Sequence, residues 1–396
     1  MQPFEFYLKT EVVFGAGKED QVARLVQKHG GSRILVVYGG GSCVRSGLLD
    51  RICGQLTDAG LTVETFGGAQ PNPRLAHARN GVKKALEMQA DLILAIGGGS
   101  SIDTAKAIAI GAAAPETDIW DFWMKKAAVK QSLPVGVVLT IPAAGSETSD
   151  SAVLTNEEDL SKRGLSTDHN RPAFAVLDPK LAATLPKYQV ACGVTDILMH
   201  TLDRYFNPVF TNELSDALAE AVLRVVLKNG VKVYADPADT QAMSEIMWSG
   251  SVSHNGLTGL GGKKDFAVHQ LGHAISAKYD VAHGASLSAV WRAWAEAVAD
   301  ADGYARFAKF GRAVWGITED DDAAAAVEAI DKQVAYFKSL DMPTSLKDLG
   351  DLDTEALADL CSYGKTRTIG SFKVLDHEAI LEIYKKSDKL RCRGGY

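Results

Sequence analysis

Cysteine is scarce. The five in 396 residues, Cys43, Cys53, Cys192, Cys361 and Cys392, lie at irregular spacing without a Cys-x-x-Cys pair. That excludes a disulfide framework and a thiolate zinc site, and it points to a reducing cytoplasm. No apolar run approaches the roughly 18 residues of a membrane-spanning helix, and the opening Met1-Gln2-Pro3-Phe4-Glu5 has no basic stretch leading into an apolar one. Neither a membrane span nor a secretory signal is expected. Excess positive charge is also missing: 42 Lys plus Arg against 49 Asp plus Glu leave a net charge of −7, which gives nucleic acid or an anionic leaflet no general field to bind. Internal repeats and low-complexity linkers are absent. Proline is sparse as well, 12 against 37 glycines, and the glycines cluster.

The length suits two cores. Through about residue 185, β-branched runs alternate with amphipathic helical stretches, the rhythm of a parallel sheet. Strands are expected at Arg33–Tyr38, Leu61–Phe66, Asp91–Ile96, Val135–Leu139 and Ala173–Leu177, with hairpin-like text between the last two. Helices are expected at about 18–29, 45–59 and 74–89. Beyond residue 186 long helical periodicity takes over, as in Ala217–Leu227, Ala323–Leu340 and Glu378–Lys386. The reading is α/β plus all-α, with domains 1–185 and 186–396 and a ligand cleft between them.

Gly39-Gly40-Gly41-Ser42 follows the first buried strand, where backbone N–H groups can receive a phosphate without side-chain obstruction. Gly97-Gly98-Gly99-Ser100-Ser101-Ile102-Asp103 repeats the placement after the strand ending at Ile96. Two such turns on one sheet predict a dinucleotide site, although neither is the Gly-x-Gly-x-x-Gly fingerprint. The first turn carries no acid to receive a ribose 2′-hydroxyl. Ser42 and Arg45 suit a 2′-phosphate, so NADP is favoured over NAD, with Glu64 the residue that would reverse the preference.

Among nine histidines, four fall in a pattern with one aspartate: Asp196-x-x-x-His200, His269-x-x-x-His273, then His283. Spacing of four sets each pair on one helix face. Apolar neighbours such as Val194, Ile197, Val268 and Leu271 predict burial, which is costly for these groups unless they are paired or coordinated. Carboxylate and imidazole without thiolate suit one divalent ion, Fe²⁺ or Zn²⁺.

With Tyr38-Gly-Gly-Gly-Ser42, Gly97-Gly-Gly-Ser-Ser-Ile-Asp103 with Lys106, Pro142-Ala-Ala-Gly-Ser-Glu147, Ser253-His-Asn-Gly-Leu257 and His269-Gln-Leu-Gly-His273 running to Tyr279-Asp-Val-Ala-His-Gly284, the chain resembles the iron-containing alcohol dehydrogenases, especially their butanol dehydrogenase-like branch. The resemblance implies a Rossmann-like domain and an all-helical metal-binding domain, the architecture shared with dehydroquinate synthase. It implies metal ligands at Asp196, His200, His269 and His283, and a role for His273 near nicotinamide and substrate. For the cofactor it implies Gly39 to Ser42, Gly97 to Ser101, Asp103, Thr140 and Lys162, the last in a loop before Arg171. A homodimer meeting through about Glu5–Phe14 is also implied, as is hydride transfer between NADP(H) and a small primary alcohol or aldehyde. The chain departs from the family at Ala144, where relatives carry threonine, and at Arg292, where they carry proline. A glycerol or diol dehydrogenase using NAD is one alternative, and a dehydroquinate synthase-type lyase another. The lyase needs a basic cluster, which Lys263, Lys264 and Lys278 do not make. Trp248, Trp291 and Trp294 suit either an apolar substrate pocket or core packing.

Overall fold

A computed structural model describes residues 2–209, 212–300 and 303–389; Cys392 lies outside them. The chain divides into two compact units: Tyr7–Leu185 with Pro237–Asn255, and the N-terminal segment through Phe6 with Pro186–Asp236 and the chain from Gly256 onward.

In the first unit the β-rich runs become β1 (Glu11–Phe14), β2 (Arg33–Tyr38), β3 (Thr62–Phe66), β4 (Leu92–Gly97), β5 (Val135–Leu139), β6 (Ser151–Asn156), β7 (Ser161–Ser166) and β8 (Phe174–Leu177). Six of them form a parallel sheet in the order β1-β8-β5-β4-β2-β3, while β6 and β7 pair as an antiparallel hairpin. Ile34–Val37, Leu92–Ile96 and Val137–Leu139 are buried because helices cover both faces. On one face Val22, Leu25, Ile52 and Leu56 pack on Ile34, Val36 and Leu94. The Gly99–Ala113 helix packs beside the Leu75–Glu87 helix. The helix expected over 45–59 is two, Ser42–Arg45 and Leu48–Asp58, because Gly47 turns the chain at φ 71°. Lys162 stands in β7, not in a loop.

The strand order locates a crevice. From β2 the chain steps outward to β3, then returns past β2 to β4, so connections diverge at the carboxyl ends of β2 and β4. That reversal is where open α/β sheets receive nucleotides, and both glycine turns emerge there.

The second unit is helical among the described residues apart from one bridge, Ile369 to Leu375. Its core is aromatic: Phe206 stacks on Phe307 with ring centroids 4.3 Å apart and meets Trp294 edge-on at 5.6 Å, and Trp291 meets Phe337 at 6.0 Å. Trp291 and Trp294 are therefore core residues rather than pocket walls, and Trp248 is exposed. Fully buried Arg306 grips both carboxylate oxygens of Asp216, at 2.6 and 2.7 Å, and donates from Nε to the Tyr205 carbonyl at 2.9 Å. Together with Asn207 Nδ2, which donates to the same carbonyl at 3.0 Å, it satisfies the end of the Lys187–Tyr205 helix. The Thr240–His254 helix belongs to the first unit although it lies in the helical half of the sequence. It buries Met243, Ile246 and Met247 and is fixed by polar contacts: Ser251 Oγ donates to Glu147 at 2.5 Å, Thr148 Oγ1 donates to the Ser251 carbonyl, and His254 Nδ1 meets the Ala144 carbonyl at 2.5 Å.

Candidate cofactor crevice and metal centre

At the crevice, the first turn reaches Gly41 at φ 95°, a backbone conformation that a side chain would strain. A Cβ there would lie 3.4 Å from an Arg45 guanidinium nitrogen, so the cation lies over the turn, with Ser42 exposed beside it. Glu64 is engaged elsewhere, in an ion pair with Lys84 at 2.6 Å. The second turn opens the Gly99–Ala113 helix, whose first N–H groups have no intrahelical acceptors. A Cβ at Gly39 would stand 3.3 Å from Ser101 Oγ, and one at Gly99 would stand 3.7 Å from Ala144. Thr140 N donates to the Gly97 carbonyl at 3.0 Å. Gly39 to Ser42, Gly97 to Ser101, Thr140 and the Ala144 loop are thus gathered at one place.

Asp103 and Lys106 lie one turn further along that helix. Asp103 accepts Ser146 Oγ at 2.6 Å and Val153 N at 2.9 Å, and burial pushes its carboxyl pKa upward. The fully buried Lys106 ammonium sits against the carbonyls of Ser146 and Ser151, both at 2.7 Å, and of Ser149 at 3.2 Å. Burial pushes it down to about 8, although Asp103, Asp150 and Glu147 pull the other way. Both residues fasten the 146–153 segment to the helix that carries the second turn. Lys162, also buried, donates to Asn72 Oδ1 at 2.9 Å.

In the helical unit Asp196 and His200 come from the Lys187–Tyr205 helix, His269 and His273 from the Ala267–Tyr279 helix, and His283 from the first position of the His283–Val298 helix. Gly284 allows that third helix in, because a Cβ there would run into the Cys192 backbone. Asp196 Oδ1 lies 3.5 Å from His200 Nε2, 3.7 Å from His269 Nε2 and 3.7 Å from His283 Nε2. Four donors at bonds of about 2.1 Å around a tetrahedral ion would stand about 3.4 Å apart. The Asp196–imidazole spacings are therefore those of donors sharing an ion rather than of hydrogen bonds, and the donor atoms of Asp196, His200 and His269 all lie within 4.8 Å of one another, a trio that does not include His283. Asp196, His200 and His269 are buried, and Asp196 Oδ1 and His269 Nε2 have no hydrogen-bond partner, a costly condition that an ion relieves. The donors fit Fe²⁺ or Zn²⁺. His283 is one-quarter exposed, and the His273 ring lies beside it with centroids 5.3 Å apart.

The motif reading did not single out Asp203, whose Oδ2 lies 2.5 Å from His269 Nδ1. Its spacing, seven residues after Asp196 and three after His200, sets it on the ligand face of the helix, a signal that periodicity carries. Arg292 pairs with Glu296 at 2.8 Å and Asp331 at 3.0 Å, as a solvated surface cation does.

A parallel sheet with phosphate-type turns at its reversal and a helical unit with a buried aspartate–histidine cluster point to the class of nicotinamide-linked dehydrogenases. Residues 9–179 match the family described as Iron-containing alcohol dehydrogenase, and residues 190–387 match Fe-containing alcohol dehydrogenase family, C-terminal. The chain belongs to the iron-containing alcohol dehydrogenase family. It is 37% identical to NADH-dependent butanol dehydrogenase A of Clostridium acetobutylicum over 98% of this chain and 100% of that one. It is 34% identical to the NADPH-dependent aldehyde reductase YqhD of Escherichia coli, over 88% and 90%. The crystal structure of NADH-dependent butanol dehydrogenase A from Thermotoga maritima superposes with a TM-score of 0.94 at 32% identity, covering 98% of this chain and 99% of that one. These relatives are dehydrogenases and aldehyde reductases, which disfavours the lyase alternative.

Proposed function

We propose that the protein is a metal-dependent alcohol dehydrogenase and aldehyde reductase that interconverts a small primary alcohol and its aldehyde with NADP(H). The observation that carries this reading is the single oxygen of Asp196 facing three imidazole nitrogens at 3.5 to 3.7 Å. Asp196, His200, His269 and His283 would hold the ion. When bound, the ion supplies Lewis acidity at the substrate oxygen, and the nicotinamide supplies or accepts the hydride. The backbone N–H groups of Gly39–Ser42 and Gly97–Ser101 bind the cofactor phosphates, while Asp103 and Lys106 keep the adjoining loop in place. His273, a ring's distance from His283, passes the substrate proton to or from solvent. An aldehyde, NADPH and one proton give an alcohol and NADP⁺, so the charges and electrons balance.

The NADP preference rests on the acid-free turn, the Arg45 guanidinium over it, and the engagement of Glu64 by Lys84. The names of the relatives divide between NADH and NADPH. A butanol-sized substrate is supported by the butanol dehydrogenase relatives. A homodimer is supported by Phe4, Phe6, Tyr7 and Leu8, all exposed ahead of edge strand β1. No helix among the described residues is long and apolar enough to cross a membrane, and the four described cysteines are free, which supports work in a reducing cytoplasm. The test is a panel of C2 to C6 aldehydes and alcohols with NADPH and NADH after separate loading with Fe²⁺ and Zn²⁺. NADPH-dependent reduction of butanal is expected, and equal rates with NADH would refute the cofactor assignment.

A further inference from the structure

The metal reading leaves one buried carboxylate unused. Asp203 is 1% exposed and lies on the same helix face as Asp196 and His200, yet the converging donors of Asp196, His200 and His269 do not include it. Its Oδ2 meets His269 Nδ1 at 2.5 Å. We propose that Asp203 is a positioning residue of the metal centre, fixing through His269 Nδ1 which imidazole nitrogen is offered to the ion.

A carboxylate only accepts, so the facing nitrogen must carry the proton. A neutral imidazole protonated on Nδ1 keeps its lone pair on Nε2, and Nε2 is the nitrogen that stands 3.7 Å from Asp196 Oδ1. Without Asp203 the ring has two tautomers and a ring flip open to it, and only one combination presents the donor as the other ligands require. The partnership also spans two helices. The Asp203 carbonyl accepts Asp265 N at 2.8 Å, and the Asp265 carboxylate in turn accepts Ala267 N, Ser371 N and Phe372 N. Backbone and side chain of Asp203 therefore both tie the helix of Asp196 and His200 to the start of the helix of His269. At His200 the neighbour differs: the Arg204 guanidinium gives its close bond, 2.6 Å, to the His200 carbonyl and stands 3.4 Å from His200 Nδ1. Carboxylate partners of this kind change metal affinity by roughly 10- to 100-fold.

The inference rests on the metal reading above, and the two fail in different ways. Apo-protein, its Asp203→Asn variant and its Asp203→Ala variant are titrated with Co²⁺ against a competing chelator at one fixed pH, following the visible d–d bands. Thermal melting of each apo-protein reports the fold. The expected result is a Co²⁺ Kd raised roughly 10-fold in Asp203→Asn and roughly 100-fold in Asp203→Ala, with changed d–d bands and an apo melting transition that stays cooperative. Wild-type affinity and spectrum in Asp203→Ala would overturn this inference and leave the metal reading standing, whereas a wild-type protein that takes up no Co²⁺ would overturn both. If the variants do not fold, ¹⁵N NMR of the metal-loaded wild type decides: a proton on His269 Nδ1 is expected, and a bare Nδ1 contradicts the inference.

Discussion

The two candidate sites, one in each unit, are made of different material. In the helical unit every donor is a side chain, and each is replaceable only by another ligand of like chemistry. In the α/β unit the glycine turns present backbone N–H groups, which under the proposed function receive the cofactor phosphates, and Lys106 and Asp103 hold the segment after β5 still. A side-chain site concentrates its free energy in a few residues, whereas a backbone site spreads it over a loop. Single substitutions should therefore act abruptly in the first and gradually in the second.

The sharpest way to break this contrast is His269→Ala, which should abolish ion retention and lower kcat/KM by about 10³-fold or more, given the several kcal/mol that a catalytic ion supplies. Metal analysis and turnover on one sample check it, and full turnover without the ion would remove the contrast. Next in size is Arg306→Met. It leaves Asp216 buried beside only Lys309 and should cost roughly 3–5 kcal/mol in urea unfolding, with the metal stoichiometry of the remaining folded protein unchanged.

In the α/β unit, Lys106 offers a test through pH. Its folded pKa, about 8, lies below the ordinary 10.5, so between those values the unfolded chain binds the extra proton and stability rises with pH. Below pH 8 both states are charged and the burial cost is felt in full. The stability of the wild type relative to Lys106→Met should therefore climb by about 3 kcal/mol from pH 7.5 to 10.5, and parallel urea profiles would contradict it. Smaller still, Arg45→Ala should raise the KM for NADPH about tenfold, roughly 1.4 kcal/mol, with little change for NADH. Smallest is Arg292→Ala, a surface ion pair whose loss should stay within about 0.5 kcal/mol and leave kcat unaltered.

The same contrast explains what the sequence could reveal. That Asp196, His200, His269 and His283 come together was legible from helical spacing and residue chemistry, and the placement of the glycine turns was legible because each directly follows an apolar run. Asp203 was not, since its role depends on meeting His269 across 66 residues. Lys106 stands out in the sequence only as part of a motif, and its tie to the serines of the 146–151 segment depends on contacts across 40 residues and more. Trp291 and Trp294 have a composition that suits a pocket and a core equally, and only packing against Phe337, Phe206 and Phe307 separates the two. The Thr240–His254 helix carries an amphipathic pattern without a partner's address: its buried face (Ala242, Met243, Ile246, Met247) packs within the first unit, and polar contacts at Glu147 and Ala144 set its place. Helix breaks such as the one at Gly47 escape because a lone glycine within helical periodicity is usually tolerated.

The most direct measurement is NADPH oxidation with butanal by one preparation before chelation, after removal of the ion, and after return of Fe²⁺ or Zn²⁺. Activity should vanish with the ion and return with one equivalent per chain, and the His269→Ala protein should not regain it. Undiminished turnover in the metal-free protein would contradict the assignment of Asp196, His200, His269 and His283 as the centre of the reaction.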